Sequence, residues 1–488
     1  MITTISNCNS ATLDVYVPSP DNPWDTQKAK HLYRRLGFGA TFKMIKEALS
    51  TTPSQLIDAL IDEAIDKNVT SPPEWAYWVK ENFDNTGKAP FEFRKEMKRQ
   101  MVKDLFLDNL RGRLTLFWSN HFVTEGQVYA SPAYMYEYYT LLQYHAIGNF
   151  KEFTRDIGLN PAMLMYLNGR QNTKNKPNEN YARELYELFT LGVDNGYTQQ
   201  DIVETARALT GWNTIKIPWG DITFEPKNFD NGNKTIFGQT GNWAYEDVIS
   251  ILFDERIKQI AAYICQKLYT YFVSPEVDQT IVNQMAQTFE DHNFEIAPVL
   301  KQLFKSEHFF NISSIGALIK SPCDLQISFF KELEFELPLA FEFPEKIRSA
   351  CRDLGQTLLS PIDVAGWKGD THWINSSTLI GRWNILNWYI WRSHTFKKEQ
   401  FRDLAIRIMK DDPKTTNVQL ISRRIVDHFL SRPLSDPNEY EQALAIFKDE
   451  VPENYFENGI WSLQHSMVPW QVYQLLQHLI RIPEFQLK

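Results

Sequence analysis

Two stretches carry residues able to move protons or grip a polar ligand. The first is "PNENYARELYELFTLG", Pro177–Gly192. Helical spacing puts Tyr181, Leu185, Leu188 and Phe189 on one face, with Ala182 and Tyr186 beside it. Glu179, Arg183 and Glu187 fall at i, i+4 and i+8 on the other side and read as a ladder of surface ion pairs. Glu184 falls on the border, next to Leu188 and Leu191, with Asn180 four residues before it on the same stripe. A half-buried carboxylate without a partner keeps its proton to higher pH, which suits a general acid or base. If an arginine or a backbone amide satisfies Glu184, its role is structural instead. Asn178 is placed to cap this helix, and Gly192 to end it in the left-handed conformation.

The second stretch is "VAGWKGDTHWINSSTLIGRWN", Val364–Asn384. Gly366 and Gly369 permit tight turns. Around them lie Trp367, Asp370, His372, Trp373 and Arg382, and one of Asn375, Ser376 and Ser377 should cap the next helix. An aromatic floor with convergent donors is a common way to hold a polar ligand; simple packing of the tryptophans is the alternative. Two shorter motifs add to these. "LTLFWSNHF" sets His121 on the face of Leu114, Phe117 and Trp118, where it is either a hydrogen-bonded core residue or a ligand for a divalent metal shared with the glutamates. No H-E-x-x-H and no histidine pair at i, i+4 supports that metal by spacing. "HLYRRLGFGAT" ends a helix at Gly37 and Gly39, and Arg34 and Arg35 suit a helix C-terminus better than a phosphate site.

The elements that must position these residues are helices. "TPSQLIDALIDEAID" begins with Thr52 as cap and Pro53 in the first turn, and Thr198 with Asp201 forms a capping-box variant. Residues 92–122 read as long helical material bent near Gly112. Further helices are expected at about 131–147, 244–253, 255–273, 277–291, 295–306, 318–335, 343–356 and 374–392. The exception is 213–243, rich in Gly, Asn and Pro, which reads as a long loop with one hairpin around Asp230–Lys234. A weak repeat relates "KLYTYFVS" (267–274) to "RIVDHFLS" (424–431), and "LKQLFKSEHF" (300–309) to "LQHLIRIPEF" (476–485). The expected fold is all-α, a large multi-helix bundle with two related halves and a loop insertion at 213–243. An N-terminal extension is expected over 1–27, a main helical domain over 28–392 and a C-terminal helical subdomain over 393–488.

Composition narrows the function. Fifty-one Lys and Arg against 60 Asp and Glu give a net charge of −9, without the basic surplus of a nucleic-acid binder. Aromatic residues make up 14%, enough for a large core or for a ring-lined cleft. The four cysteines, Cys8, Cys265, Cys323 and Cys351, form no C-x-x-C pair, which argues against a thiolate zinc site or a disulfide framework. No stretch approaches the roughly 18 consecutive apolar residues of a membrane span. The first twenty residues lack the basic and apolar regions of a secretory signal, so a cytoplasmic protein is expected.

Together, "RRLGFGAT", "LTLFWSNHF", "NENYARELYELFTLG", "YTQQDIVETARALTGW", "VAGWKGDTHWINSSTLIGRWN" and the terminal "PEFQ" resemble the bacterial domain of unknown function 1800 family, in order, from about residue 28 onward. The resemblance implies a large, mostly helical protein with no established activity. It also implies a family often exported and often encoded beside sulfatase-like proteins, which makes such a protein a candidate partner. It singles out Arg35, Asn120, His121, Asn180, Arg183, Glu184, Glu187, Trp212, Lys234, Trp367, Trp373 and Arg382 without giving them roles. Where many relatives have His before the Asp of "FDNGNK", this chain has Phe229.

Two functional readings follow. In the first, 115–121, 180–187, 210–234 and 366–382 meet at one cleft of an enzyme. Glu184, His121 and Glu187 are the catalytic candidates there. Asn120, Asn180, Arg183, Trp212, Lys234, Trp367, His372, Trp373 and Arg382 bind a polar, glycan-like substrate, and the chemistry is hydrolysis or transfer. No cofactor is evident, and a divalent metal fits only if His121 and the glutamates converge. In the second reading the chain is a non-catalytic helical scaffold that docks a partner protein.

Overall fold

The computed structural model describes residues 12–338 and 342–488. Cys8 lies outside them, and the N-terminal extension is described from Thr12 onward. The chain folds as expected into an all-α bundle, with 24 helices and two two-stranded antiparallel hairpins among the described residues. One continuous apolar core runs through it, from Leu13 to Phe485. No helix among the described residues is long and apolar enough to cross a membrane.

The punctuation that marks helix ends acts as expected. Thr52 and Gln55 make a full capping box, with Pro53 in the first turn. Thr198 accepts from the Asp201 N–H while the Asp201 carboxylate accepts from the Thr198 N–H. Two local expectations need correction. The material over 92–122 divides into Pro90–Leu107 and Leu110–His121, so the break falls at Asp108–Asn109 and Gly112 lies inside the second helix. The insertion holds two hairpins, Trp212–Ile215 with Ile222–Phe224 and Lys234–Ile236 with Gln239–Gly241. Asp230 precedes the second hairpin, whose turn is made by Phe237 and Gly238, both at positive φ. The Ser376–Lys397 helix packs on Val468–Leu479.

The repeat has a structural counterpart. "KLYTYFVS" ends the Ile257–Phe272 helix and "RIVDHFLS" ends Val418–Phe429. Each packs on a following helix, Gln279–Asp291 or Pro437–Lys448, which packs in turn on Ile296–Lys305 or Val468–Leu479. Each half then closes with a single β-bridge, Val15 to Ser306 and Ile319 to Leu487. Adjacent arginines of the Thr26–Leu36 helix reach both repeat ends. Arg35 donates to the Phe272 carbonyl at 3.2 Å and to the Ser314 carbonyl at 2.6 Å. Arg34 donates to the Ser431 hydroxyl at 3.1 Å and forms a two-point pair with Glu332 at 2.7 and 2.8 Å. Both guanidinium groups are buried, so their positions are fixed by the carbonyls and carboxylate they satisfy.

Candidate functional site

Segment 363–373 leaves the helical pattern, and one side chain fixes it. Asn120, near the end of the Leu110–His121 helix, donates its amide to the Trp367 carbonyl at 3.0 Å. Its Oδ1 accepts from the Trp367 N–H at 2.5 Å. A side-chain amide that pairs with both groups of one peptide residue works like a ladder rung, and it needs close approach. Gly366 supplies that approach. Its φ is +80°, and a Cβ there would lie 2.4 Å from the Asn120 carbonyl oxygen.

The pinned loop walls a cavity of about 480 Å³. Trp367 and Trp373 supply its aromatic side, with ring centroids 6.4 Å apart at an interplanar angle of 50°. Asp370 lies between them in sequence at φ +43°, a costly conformation for a non-glycine residue and one that clusters at ligand sites. Its carboxylate accepts from the Ile319 N–H at 3.3 Å. Lys267 and Tyr271 of the Ile257–Phe272 helix also line it. Burial pushes the Lys267 ammonium down to about 8, and the group lies 5.2 Å from the Tyr263 ring centroid.

The floor is a buried charge cluster. Asp324 is 2.5 Å from the Arg113 guanidinium and 2.6 Å from the Lys488 ammonium. Burial works against its charge, but Arg113 and Lys488 outweigh burial and hold the carboxyl well below the usual carboxylate range. Burial, with help from Arg113, pushes Lys488 down to about 7. Behind the loop, Arg382 is fully buried and donates to Gln486 Oε1 and the Lys320 carbonyl, each at 2.8 Å.

Of the four segments expected to meet, 115–121 and 366–382 share this cavity; 180–187 and 210–234 contribute no lining residue. His121 is buried among Phe117, Trp118, Phe122 and Phe189. Its Nε2–H donates to the Phe189 carbonyl at 3.0 Å, which leaves Nδ1 buried without a partner. Burial, with the Lys267 charge behind it, holds the ring neutral, well below its ordinary value. Among the described residues no three His, Cys, Asp or Glu side chains group closely enough to hold a metal ion.

The 177–192 run folds as a short helix, Asn180–Glu184, continued by a π-turn over Leu185–Thr190. The Asn178 side chain accepts from the Asn180 N–H, and Gly192 takes φ +93°. In the π-turn the Leu191 N–H reaches the Tyr186 carbonyl, i to i+5, so the register slips by one residue and Leu188 turns partly out of the core. The ion-pair ladder is present, with Arg183 to Glu179 at 2.9 Å and to Glu187 at 3.2 Å. Glu184 is half-buried. Its carboxyl is raised above the ordinary value first by desolvation and then by Glu187, against a smaller pull from Arg183. It acts electrostatically on the Tyr166 phenol, together with Glu125 and Asp363. Asn180 is exposed.

The other expected binders are engaged or apart. Lys234 is buried, and its ammonium donates to the Asp230 and Trp243 carbonyls and to Asn242. It sits 4.5 Å from the Phe229 ring centroid, so an aromatic face stands where many relatives have a histidine. Trp212 packs on Phe224 and Tyr245 in the first hairpin, and His372 is exposed in the turn Asp370–Trp373. Sequence reasoning passed over Lys267, Tyr271, Asp324 and Lys488. The signal for the first two was available: Tyr263, Lys267 and Tyr271 recur at i, i+4 and i+8, one stripe of an amphipathic helix.

The fold and the cavity define an all-helical, internally repeated protein with a tryptophan-walled polar pocket. The chain belongs to the family described as Protein of unknown function (DUF1800), whose model matches residues 31–487. No curated protein and no solved structure matches it.

Proposed function

We propose that the protein binds an anionic, glycan-like ligand in the cavity between Trp367–Trp373 and Lys267–Tyr271. The observation that carries this reading is that two tryptophan rings share one cavity with Lys267, Lys368 and Lys488. Sugar rings present apolar C–H faces that lie on aromatic rings, and Lys267 and Lys368 complement negative charge. Tryptophan fluorescence and calorimetry with sulfated and uronate-containing oligosaccharides, beside neutral ones, test it. The anionic set should bind, and Trp373→Ala should weaken binding about tenfold, a change of about 1.4 kcal/mol. Equal failure of both sets at millimolar concentration sinks the reading.

Hydrolysis or transfer on that ligand rests on Glu184 alone among the expected trio, since His121 is sealed by aromatic rings and Glu187 is engaged by Arg183. The raised Glu184 carboxyl supports a general acid for a ligand that extends from the cavity to Glu184, which does not itself line it. Glu184→Gln should then abolish turnover of a bound oligosaccharide while leaving its affinity within twofold. Unchanged turnover removes Glu184 from the chemistry.

A partner-docking role is the second reading, and the Ser376–Lys397 helix favours it. Ile380, Trp391 and Phe396 there are 53%, 49% and 50% exposed, more apolar area than a solvated helix needs. The family resemblance names a sulfatase-like protein as the partner to try. Trp391→Glu should abolish co-elution with it; co-elution unaffected by that change excludes this face.

A further inference from the structure

The helix ends that carry the repeat each face a cavity. Lys267, Thr270 and Tyr271 line the first, and the residues at the same repeat positions, Arg424, Asp427 and His428, line a second cavity of about 680 Å³. The resemblance extends to the rings. Phe117 packs on Tyr271 at 5.0 Å, and Phe42 stacks on His428 at 4.7 Å with an interplanar angle of 6°. An arginine from a neighbouring helix completes each pair: Arg113 lies 5.9 Å from the Tyr271 centroid and Arg407 lies 5.4 Å from that of Phe42.

The second cavity differs from the first in charge. Lys30, Lys43, Lys46, Arg407, Lys410 and Arg424 line it, against the carboxylates of Asp411 and Asp427. This is a cationic concentration in a chain whose net charge is −9. Asp427 is taken up elsewhere, by the Tyr440 hydroxyl at 2.5 Å and by Arg423 at 3.7 Å. Among the described residues the only salt bridge on these six cations is the exposed pair Lys43–Glu47, at 3.8 Å. Lys30 is buried, and its ammonium is held by the His428 carbonyl at 2.7 Å and faces Nδ1 of the same ring at 3.2 Å. The His428 Nε2–H is spent on the Glu332 carbonyl, so Nδ1 accepts from the Lys30 ammonium and the ring is neutral. Burial pushes Lys30 down to about 7, in keeping with a buried ammonium that lacks an anion in contact. The inner wall is apolar, with Ala40, Phe42, Ile45 and Ile408.

We infer that the cavity between helices Thr26–Leu36 and Phe42–Ala48 on one side and Glu399–Ile408 and Val418–Phe429 on the other is a second ligand site. It takes a small molecule with a phosphate or carboxylate head on an apolar body. The head meets the Arg424, Lys410 and Lys30 side, and the body lies on Phe42, Ile45 and Ile408. A volume of about 680 Å³ lies inside the range of roughly 300–1,000 Å³ typical of small-molecule sites. The inference is independent of what the tryptophan-walled cavity binds.

The test is calorimetry of the full chain with octyl phosphate and octanoate, with octanol and inorganic phosphate as half-ligands. The two amphiphiles, or either one, should bind with a stoichiometry of one, and each half-ligand at least tenfold more weakly. Arg424→Gln, a partly exposed position that should not disturb folding, should weaken the amphiphile about tenfold. Phe42→Ala should weaken it comparably, and Trp373→Ala should leave it unchanged. Octanol binding as tightly as octyl phosphate, or binding abolished by Trp373→Ala but untouched by Arg424→Gln, overturns the inference.

Discussion

The run 177–192 and the loop 363–373 both mix charge with aromatic residues, and they handle it in opposite ways. In the run, neighbours along one helix neutralise each other, as Arg183 does with Glu179 and Glu187 at a half-exposed surface. In the loop and its floor, the partners come from distant parts of the chain: Asn120 clasps Trp367, and Arg113 and Lys488 hold Asp324. Charges paired along one helix are local and cheap to lose, whereas those paired across the fold are buried and expensive. A cavity forms only in the second case, because only there do separate segments have to be held apart and together at once.

Substitutions can break or sharpen this contrast. The largest effect should come from Asp324→Asn, which leaves Arg113 and Lys488 buried without their anion. Urea unfolding should show a loss of about 3–5 kcal/mol at neutral pH. The folded carboxyl lies below its ordinary value of 3.8, so its contribution is present above that value and is lost as pH falls below it. The gap between wild type and variant should therefore narrow in acid; a gap that stays constant with pH assigns the loss to packing. Next comes Gly366→Ala, where a Cβ would strike the Asn120 carbonyl at positive φ, for about 3 kcal/mol. Gly192→Ala also sits at positive φ, but the added Cβ would meet only the Tyr263 ring, at 3.1 Å, and should cost about 1 kcal/mol. Equal losses at the two glycines would erase the contrast between a pinned loop and an ordinary helix end.

The smallest effects belong to the run itself. Arg183→Gln should cost about 0.5 kcal/mol, a shift that 1 M salt should largely remove. Glu184→Gln should change sign relative to that. The native carboxyl is raised, so its burial favours the protonated form below the ordinary value of 4.5 and penalises the charged form once pH passes the folded value. Thermal melts should show the variant gaining on wild type from pH 4 to pH 8. A variant that loses ground over that range would mean that Glu184 has a stabilising partner.

Much of the site was visible in the sequence as separate pieces. The half-burial of Glu184, the ladder on Arg183 and the aromatic company of His121 all follow from 3.6-residue spacing and appear as expected. Asn120 and Trp367 were each marked, but nothing in spacing joins positions so far apart in the chain. The π-turn after Glu184 was not foreseen either. It depends on i to i+5 hydrogen bonds and on what Leu188 and Phe189 must pack against.

The sequence by itself determined an all-helical chain, its helix caps and its acidic charge balance, because those depend on near neighbours and on composition. Tertiary structure alone decided which charges are sealed and which border a cavity. His121 spent its Nε2–H on a carbonyl inside the core, Lys234 was enclosed by the carbonyls around its own hairpin, and Lys267 was brought into one cavity with two tryptophans. Burial and partnership are set by segments that meet only when the chain has folded, and a side chain's chemistry follows from both.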